Sequence, residues 1–258
     1  MLDFYRFSHF QKYPTLLHAV SKKSDVFPYG FSLALHTGED TKNIIANRNT
    51  LATQLQSTQT LNFIVANQTH SDHIAVIRDK QTKGWHTETD AVKACDALIT
   101  NIPNVVLSIL TADCVPILLY DPKQKVVAAI HAGWKGTQAQ IASKTVQKMK
   151  ELFLCDAQDI MAGIAPSIGQ CCYEVGVDVA QHFFDTPKGF TSIGEKYMLG
   201  LPYINKQQLL NIGLQEKHIE MSDTCTACEV EDFFSYRKEK GCSGRFMSML
   251  GLKEQDED

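Results

Sequence analysis

The chain has no apolar run long enough to cross a bilayer as a helix. Its start, MLDFYRFSHF, lacks a basic segment followed by a long apolar core, so it does not read as a secretory signal and a cytoplasmic protein is expected. There is no basic excess either: 25 Lys and Arg stand against 29 Asp and Glu, for a formal net charge of -4. That excludes the broad positive face of a nucleic-acid binder, although a local Arg/Lys cluster remains open to a small anion. The glycines form no phosphate-binding loop and no dinucleotide fingerprint. No short repeat and no clean linker interrupts the 258 residues, so one domain spanning 1–258 is expected. Eight cysteines are too few for a disulfide scaffold and should be mostly thiols in a reducing compartment.

Apolar residues make up 44% of the chain, enough to build a core without disulfides or a structural metal. HAVSKKSDVFPYGFSLAL reads as strand, loop and strand, and spacing predicts a helix over 41–56. LNFIVANQTHSDHIAVI reads as two short strands joined near His70. NVVLSILTADC, VPILLYD and VVAAIHAG read as successive strands, with DPKQK as a turn because Pro122 presets its backbone. Ala142, Val146, Met149 and Phe153 give an apolar stripe to a helix over 137–153, with Thr137 as a candidate cap. DIMAGIAPSIG and HIEMSD read as strands, VGVDVAQHFF and INKQQLLNIGL as helices, and Arg245 to Leu250 as a last strand. The charged tail over 253–258 is expected to be disordered. The elements alternate without a regular βαβα rhythm, which points to an α/β domain with mixed sheets.

The chemistry-bearing residues gather where strands end. Cys114 precedes one apolar run and His131 closes the next, so antiparallel pairing would bring a thiol and an imidazole together. Both suit Zn2+, and His70 at a separate junction is a candidate third ligand, leaving one tetrahedral position open. The same two residues would serve equally as a cysteine nucleophile and its base, with Asp113 orienting the imidazole. Lys135 and Trp134 follow His131: Lys135 is a candidate anion contact, and Trp134 either walls the cleft or packs in the core. Cys171 and Cys172 are adjacent; in extended chain they point oppositely, so packing or pocket roles are expected rather than shared ligation. CTAC, with Cys225 and Cys228, is a weak metal signal without a second, suitably placed pair.

The segments NQTHSDHI, TADCVPILLYD, AAIHAGWKGT, IAPSIGQCCYEVG and CTACEVEDFFSYRKEKGCSGRF, with the spacing between them, resemble the bacterial laccase-domain or polyphenol-oxidase-like family. That family is associated with multifunctional zinc-containing purine nucleoside phosphorylases, and the resemblance covers nearly the whole chain. It implies a four-layer α/β/β/α fold, similar in architecture to cysteine-dependent deamidases. It implies metal ligation by His70, Cys114 and His131. Asp113, beside Cys114, is read as holding a ligand histidine, contacting substrate or fixing the loop. The resemblance implies phosphorolysis of adenosine, inosine, guanosine and methylthioadenosine, with adenosine deamination also associated. The substrates would be purine nucleosides and inorganic phosphate. This chain departs from the family at Ser71, where glycine commonly follows the first ligand, and at Ala165 and Gln170, where glycine and proline are common.

For phosphate, Arg48 and Arg245 are the main candidates, because guanidinium matches phosphate with paired hydrogen bonds; Arg237 is a third. Tyr173 is placed to stack on or hydrogen-bond a purine nucleoside. Copper-dependent phenol oxidation is the family's older label, but nine histidines in all are too few for a clustered multicopper array. A metal-independent hydrolase using Cys114 and His131, and a nucleoside-binding protein without turnover, are the other readings. The sequence does not determine oligomeric state; a monomer is compatible with it.

Overall fold

The computed structural model describes residues 2–55, 60–241 and 243–254. Two mixed sheets carry it. The five-stranded sheet runs Phe4–Tyr5, Leu16–Ser21, Phe246–Leu252, Val105–Thr111, Asn62–Val65. The six-stranded sheet runs Ile219–Met221, Met161–Ile164, Val115–Asp121, Val126–Ala132, Ala97–Thr100, Ile74–Val76. Each contains parallel and antiparallel pairs. A small three-stranded sheet of Glu174–Val175, Lys196–Leu199 and Phe190–Ile193 lies outside them; its hairpin had no reading in the sequence.

The layers follow from the two-residue period of a strand. Along the two central strands, Val115, Ile117, Leu119, Val126, Ala128 and Ile130 pack on one side with Ile141, Val146 and Met149 of the helix Ile141–Phe153 and Leu209 of the helix Leu201–Asn211. The alternate residues Leu118, Tyr120, Val127 and Ala129 meet Leu107, Ile109, Phe246 and Leu250 of the other sheet. That sheet's outer residues, Val106, Leu110, Met247 and Met249, meet Leu51 and Leu55 of the helix Thr41–Leu55. Helix, sheet, sheet and helix are thus stacked as the α/β/β/α arrangement expected. Strands covered on both faces read as continuous apolar runs, which is why VPILLYD and VVAAIHA stood out.

Several local expectations are corrected. GFSLAL forms no strand: it is a 3-10 turn, Pro28–Phe31, followed by irregular chain, with the Leu33 N–H on Arg245 O and the Leu33 carbonyl on Arg48 Nε. The helix predicted over 137–153 is two, Trp134–Gln138 and Ile141–Phe153, because Gln140 adopts a left-handed conformation. Thr137 caps neither; it is buried and its Oγ1 accepts from Asn205. The two strands expected on either side of His70 are present, and they belong to different sheets. In the tail, Lys253 N–H bonds Thr15 O, so that residue is tied down, while 255–258 lie outside the described residues.

One buried group links this core to pH. His18 is 3% exposed, and its Nε2 accepts the Phe7 N–H at 3.0 Å, which requires that nitrogen to be unprotonated. Burial first, then the positive charges of Arg6 and His9, pulls its pKa down to about 4. The folded value lies below the unfolded one, so stability present above about 6.5 is lost as pH falls toward about 4. By pH 5 the loss from this group is about 2 kcal/mol. His18→Gln keeps an acceptor without the titration, so urea unfolding at pH 7 and pH 5 should show a smaller drop in the variant; an identical drop would count against this account.

Candidate active site

The site lies where the chain crosses between the two sheets twice. Ala112, Asp113 and Cys114 connect the strand Val105–Thr111 of one sheet to Val115–Asp121 of the other. The segment holding His70 likewise connects Asn62–Val65 to Ile74–Val76. Both crossings leave the regular pleat: His70 has φ 58 and Asp113 φ 87, conformations that L-residues adopt rarely and that concentrate at functional sites. His131 sits in register opposite Pro116, one residue from the Val115–Ala132 pair, as antiparallel pairing requires. It shares the inter-sheet side of its strand with Val127 and Ala129, at the point where apolar filling stops.

These crossings bring His70, Cys114 and His131 together, with one ligand atom from each lying within 4.8 Å of the others. Cys114 Sγ stands 3.9 Å from His70 Nε2, and the two imidazole rings meet edge to face at 4.8 Å. Gly133 leaves room beside them: a Cβ there would come within 3.0 Å of the His70 ring and 3.2 Å of the Cys114 sulfur and crowd both ligands.

Asp96, which sequence reasoning missed, organises this group. It is fully buried and accepts from His131 Nδ1 at 2.8 Å, from the His70 N–H at 3.0 Å, and from the Ser71 N–H and Oγ, both at 2.7 Å. Burial alone would raise its pKa, but the His131 and Ser71 hydrogen bonds hold it far below the ordinary carboxylate range. The His131 N–H bonds the Asp96 carbonyl as well, at 2.7 Å. Nδ1 is therefore occupied as a donor, so in the neutral ring Nε2 is the lone-pair nitrogen, the arrangement that metal-binding histidines use. Between Cys114 and His131, burial opposes charge on both, yet their mutual attraction prevails: the thiol is pulled down and the imidazole up, toward a thiolate–imidazolium pair. The only signal for Asp96 was a lone carboxylate directly before the apolar strand Ala97–Thr100.

Of the alternatives open to Asp113, its contacts match fixing the loop rather than orienting a histidine. Its carboxylate accepts from Thr226 Oγ1 at 2.7 Å and from the Arg237 N–H at 2.6 Å. Its φ is positive, and its side chain reaches the segments holding Thr226 and Arg237. Asp113 thus ties those segments to the crossing, and Asp96 does the work on the histidine.

The trio opens into a cavity of about 640 Å³, which Arg48, Tyr173, Arg237 and Arg245 also line. Arg48 is 1% exposed and donates to the carbonyls of Leu33, Gly84 and Trp85. Arg245 Nη1 bonds Ser243 and Gly244, with its guanidinium 5.7 Å from the centre of the Tyr236 ring. The Arg237 guanidinium lies 5.2 Å from the centre of the Tyr173 ring. Burial, then the negative charge of Cys114, pushes the Tyr173 phenol up to about 12, so it remains a hydrogen-bond donor at neutral pH. Lys135 is not brought to this cavity: it is exposed on the short helix beyond His131, with Nζ over the Trp134 ring. Trp134 packs against the core beside His182. Of the aromatics in FFSY, Phe233 and Phe234 are core, while Tyr236 lines the cavity. His36 and Glu88 also line it, without any sequence signal.

The family model described as multi-copper polyphenol oxidoreductase laccase matches residues 19–253. Purine nucleoside phosphorylase YlmD of Bacillus subtilis is 34% identical over 229 residues, covering 85% of this chain and 81% of that protein. Adenosine deaminase RL5, from an unknown prokaryotic organism, is 33% identical over 223 residues, covering 84% of each. The crystal structure of the Bacillus licheniformis hypothetical protein YfiH superposes with a TM-score of 0.89 at 34% identity, over 94% of this chain and 95% of that one.

Proposed function

Because the chain belongs to the multi-copper polyphenol oxidoreductase laccase family, and relatives in it are named purine nucleoside phosphorylase and adenosine deaminase, we propose that it is a purine nucleoside phosphorylase of the cytoplasm that also deaminates adenosine. The observation that carries this reading is one cavity lined by His70, Cys114 and His131 and also by Arg48 and Arg245. Adenosine, inosine, guanosine and methylthioadenosine are the proposed nucleosides. In phosphorolysis a phosphate oxygen bonds to the anomeric carbon, the bond from that carbon to the purine nitrogen breaks, and the base leaves with a proton. Deamination exchanges the purine amino group for the oxygen of water and releases ammonia.

The donor set fits Zn2+: two imidazole nitrogens and one thiolate, with His131 fixed in the required tautomer by Asp96. When bound, the ion would supply a Lewis acid within the cavity. The other roles belong to the chain. Arg245, and the N–H groups of Arg48 not engaged by Leu33, Gly84 and Trp85, bind the phosphate charge. Tyr173, backed by the Arg237 guanidinium, offers an aromatic face and a phenol O–H to the nucleoside. Asp113 holds the 226 and 237 loops over the site.

The test is adenosine turnover by metal-quantified protein with and without phosphate. Phosphate-dependent adenine and ribose-1-phosphate establish phosphorolysis, and inosine establishes deamination. Neither product from folded, zinc-loaded protein would overturn the reading, while oxygen-dependent phenol turnover by copper-loaded protein would favour oxidation. Arg245→Ala should raise KM for phosphate about tenfold or more, the worth of one charge-assisted hydrogen bond, while inosine formation changes little. Equal losses in both reactions would remove Arg245 from phosphate binding.

A second reading has its own observation. Cys114, His131 and Asp96 are arranged as a thiolate, a base and an orienting carboxylate. A covalent adduct on Cys114 of zinc-free protein, formed during turnover of an acyl or amidine substrate, would favour a cysteine hydrolase.

A further inference from the structure

Beside the cavity lies a second cluster. The Sγ atoms of Cys171, Cys172, Cys225 and Cys228 all lie within 4.8 Å of one another. Cys228 Sγ is 3.5 Å from that of Cys172 and 3.7 Å from that of Cys171. A tetrahedral zinc with about 2.3 Å bonds to sulfur has S–S edges of about 3.8 Å, so these spacings match a thiolate cage. They are far longer than a disulfide bond of about 2.0 Å.

The expectation that adjacent Cys171 and Cys172 could not share a site assumed extended chain. They lie instead in a tight turn, with the N–H groups of both Cys172 and Tyr173 on Gly169 O at 3.0 and 3.1 Å. In a helical turn successive side chains are about 100° apart rather than opposed, and both can lean toward one point. Cys225 and Cys228 stand on a second turn, with the N–H groups of Cys228 and Glu229 on Cys225 O at 3.1 and 2.9 Å. That is the two-pair arrangement a four-cysteine site needs.

The surroundings suit a bound ion. The Gly169 N–H donates to Cys225 Sγ at 3.1 Å, an interaction that favours a charged sulfur. A Cβ on Gly169 would come within 3.2 Å of Cys171 Sγ and of Cys225 Cβ, so a larger residue would crowd the two turns where they meet. The apolar cluster joining them is small, formed by Ile168, Cys225 and Ala227 with Cys172 and Tyr173 at its edge. A small core of this kind is where metals commonly replace hydrophobic burial.

We propose that Cys171, Cys172, Cys225 and Cys228 form a structural Zn2+ site, separate from the His70–Cys114–His131 group, that staples the turn carrying Tyr173 to the turn carrying Thr226. On binding, each S–H proton leaves to solvent and an S–Zn bond takes its place. Four protein ligands leave no position for substrate, so the site is structural. Its effect on the cavity is indirect: it sets the position of Tyr173, and of Thr226, which holds Asp113.

The test counts metals in protein purified anaerobically with reductant, by elemental analysis and native mass spectrometry. Wild type should carry about two zinc ions per chain, Cys228→Ser about one and His131→Ala about one. His131→Ala reconstituted with cobalt should show the charge-transfer and visible bands of tetrahedral cobalt thiolate, and adding Cys228→Ser should abolish them. If Cys228→Ser does not fold, the wild-type count and the cobalt spectrum of His131→Ala still decide. A single zinc that disappears in His131→Ala would overturn the site, as would iron or copper at these cysteines. A mass lighter by two hydrogens per cysteine pair, persisting in reductant, would identify a disulfide pair and also overturn it. None of these readouts uses nucleoside turnover, so a failed phosphorylase reading leaves this result intact.

Discussion

His131→Ala is expected to empty the three-residue site and lower nucleoside turnover by about a thousandfold or more. His131 supplies one of three ligand atoms gathered within 4.8 Å, and the residue is 3% exposed, so water reaches its place poorly. A Lewis acid contributes several kcal/mol to a barrier, and each 1.4 kcal/mol is about tenfold in rate. The fold itself should survive, because Asp96 keeps its bonds from His70 and Ser71. Asp96→Asn makes a graded companion: it keeps the shape but weakens the hold on Nδ1, and should cost about 10- to 100-fold in metal affinity. Zinc titration of both variants, with adenosine turnover alongside, checks the order. Unchanged metal retention and turnover in His131→Ala would remove these residues from the mechanism.

Arg48→Ala should give the largest loss of stability of any arginine change in the cavity. Its guanidinium is buried and bonds the carbonyls of Leu33, Gly84 and Trp85. Those carbonyls belong to irregular chain with no sheet ladder to fall back on, and each orphaned group costs about 1–3 kcal/mol. Contact with the Trp85 ring, 5.4 Å away, is lost as well. With partial hydration of the gap, the net cost is about 3–5 kcal/mol, readable as a lower urea midpoint. Arg48→Lys keeps a charge but not the planar fork, and should recover only part of the loss. An unaltered midpoint in Arg48→Ala would mean the guanidinium is not the tie it looks to be. In the folded fraction, a raised KM for phosphate with adenosine deamination spared would give Arg48 a binding role too. Equal losses with and without phosphate would leave it a purely structural arginine.

The contrast between the two arginines shows where sequence reasoning stops. Arg48 and Arg245 were both legible as anion binders by chemistry, and both line the cavity. Whether a guanidinium still has N–H groups to offer depends on which carbonyls surround it. Those of Leu33 and Trp85 come from segments distant in the chain, which have no local pattern.

The sequence by itself determined the central strands and the long helix Thr41–Leu55, because burial on one or two faces writes a period of two or 3.6 directly into residue order. It also placed Cys114 and His131 together, since a tight turn between two apolar strands leaves little choice of register. Only the tertiary structure decided the rest. Asp96 reaches His131 through sheet pairing across 35 residues. His70 arrives because its flanking strands lie in different sheets. Four cysteines converge because two turns, 56 residues apart, rotate their side chains inward. Such contacts depend on where separate segments pack, and a one-dimensional pattern records what each residue buries, not against which partner.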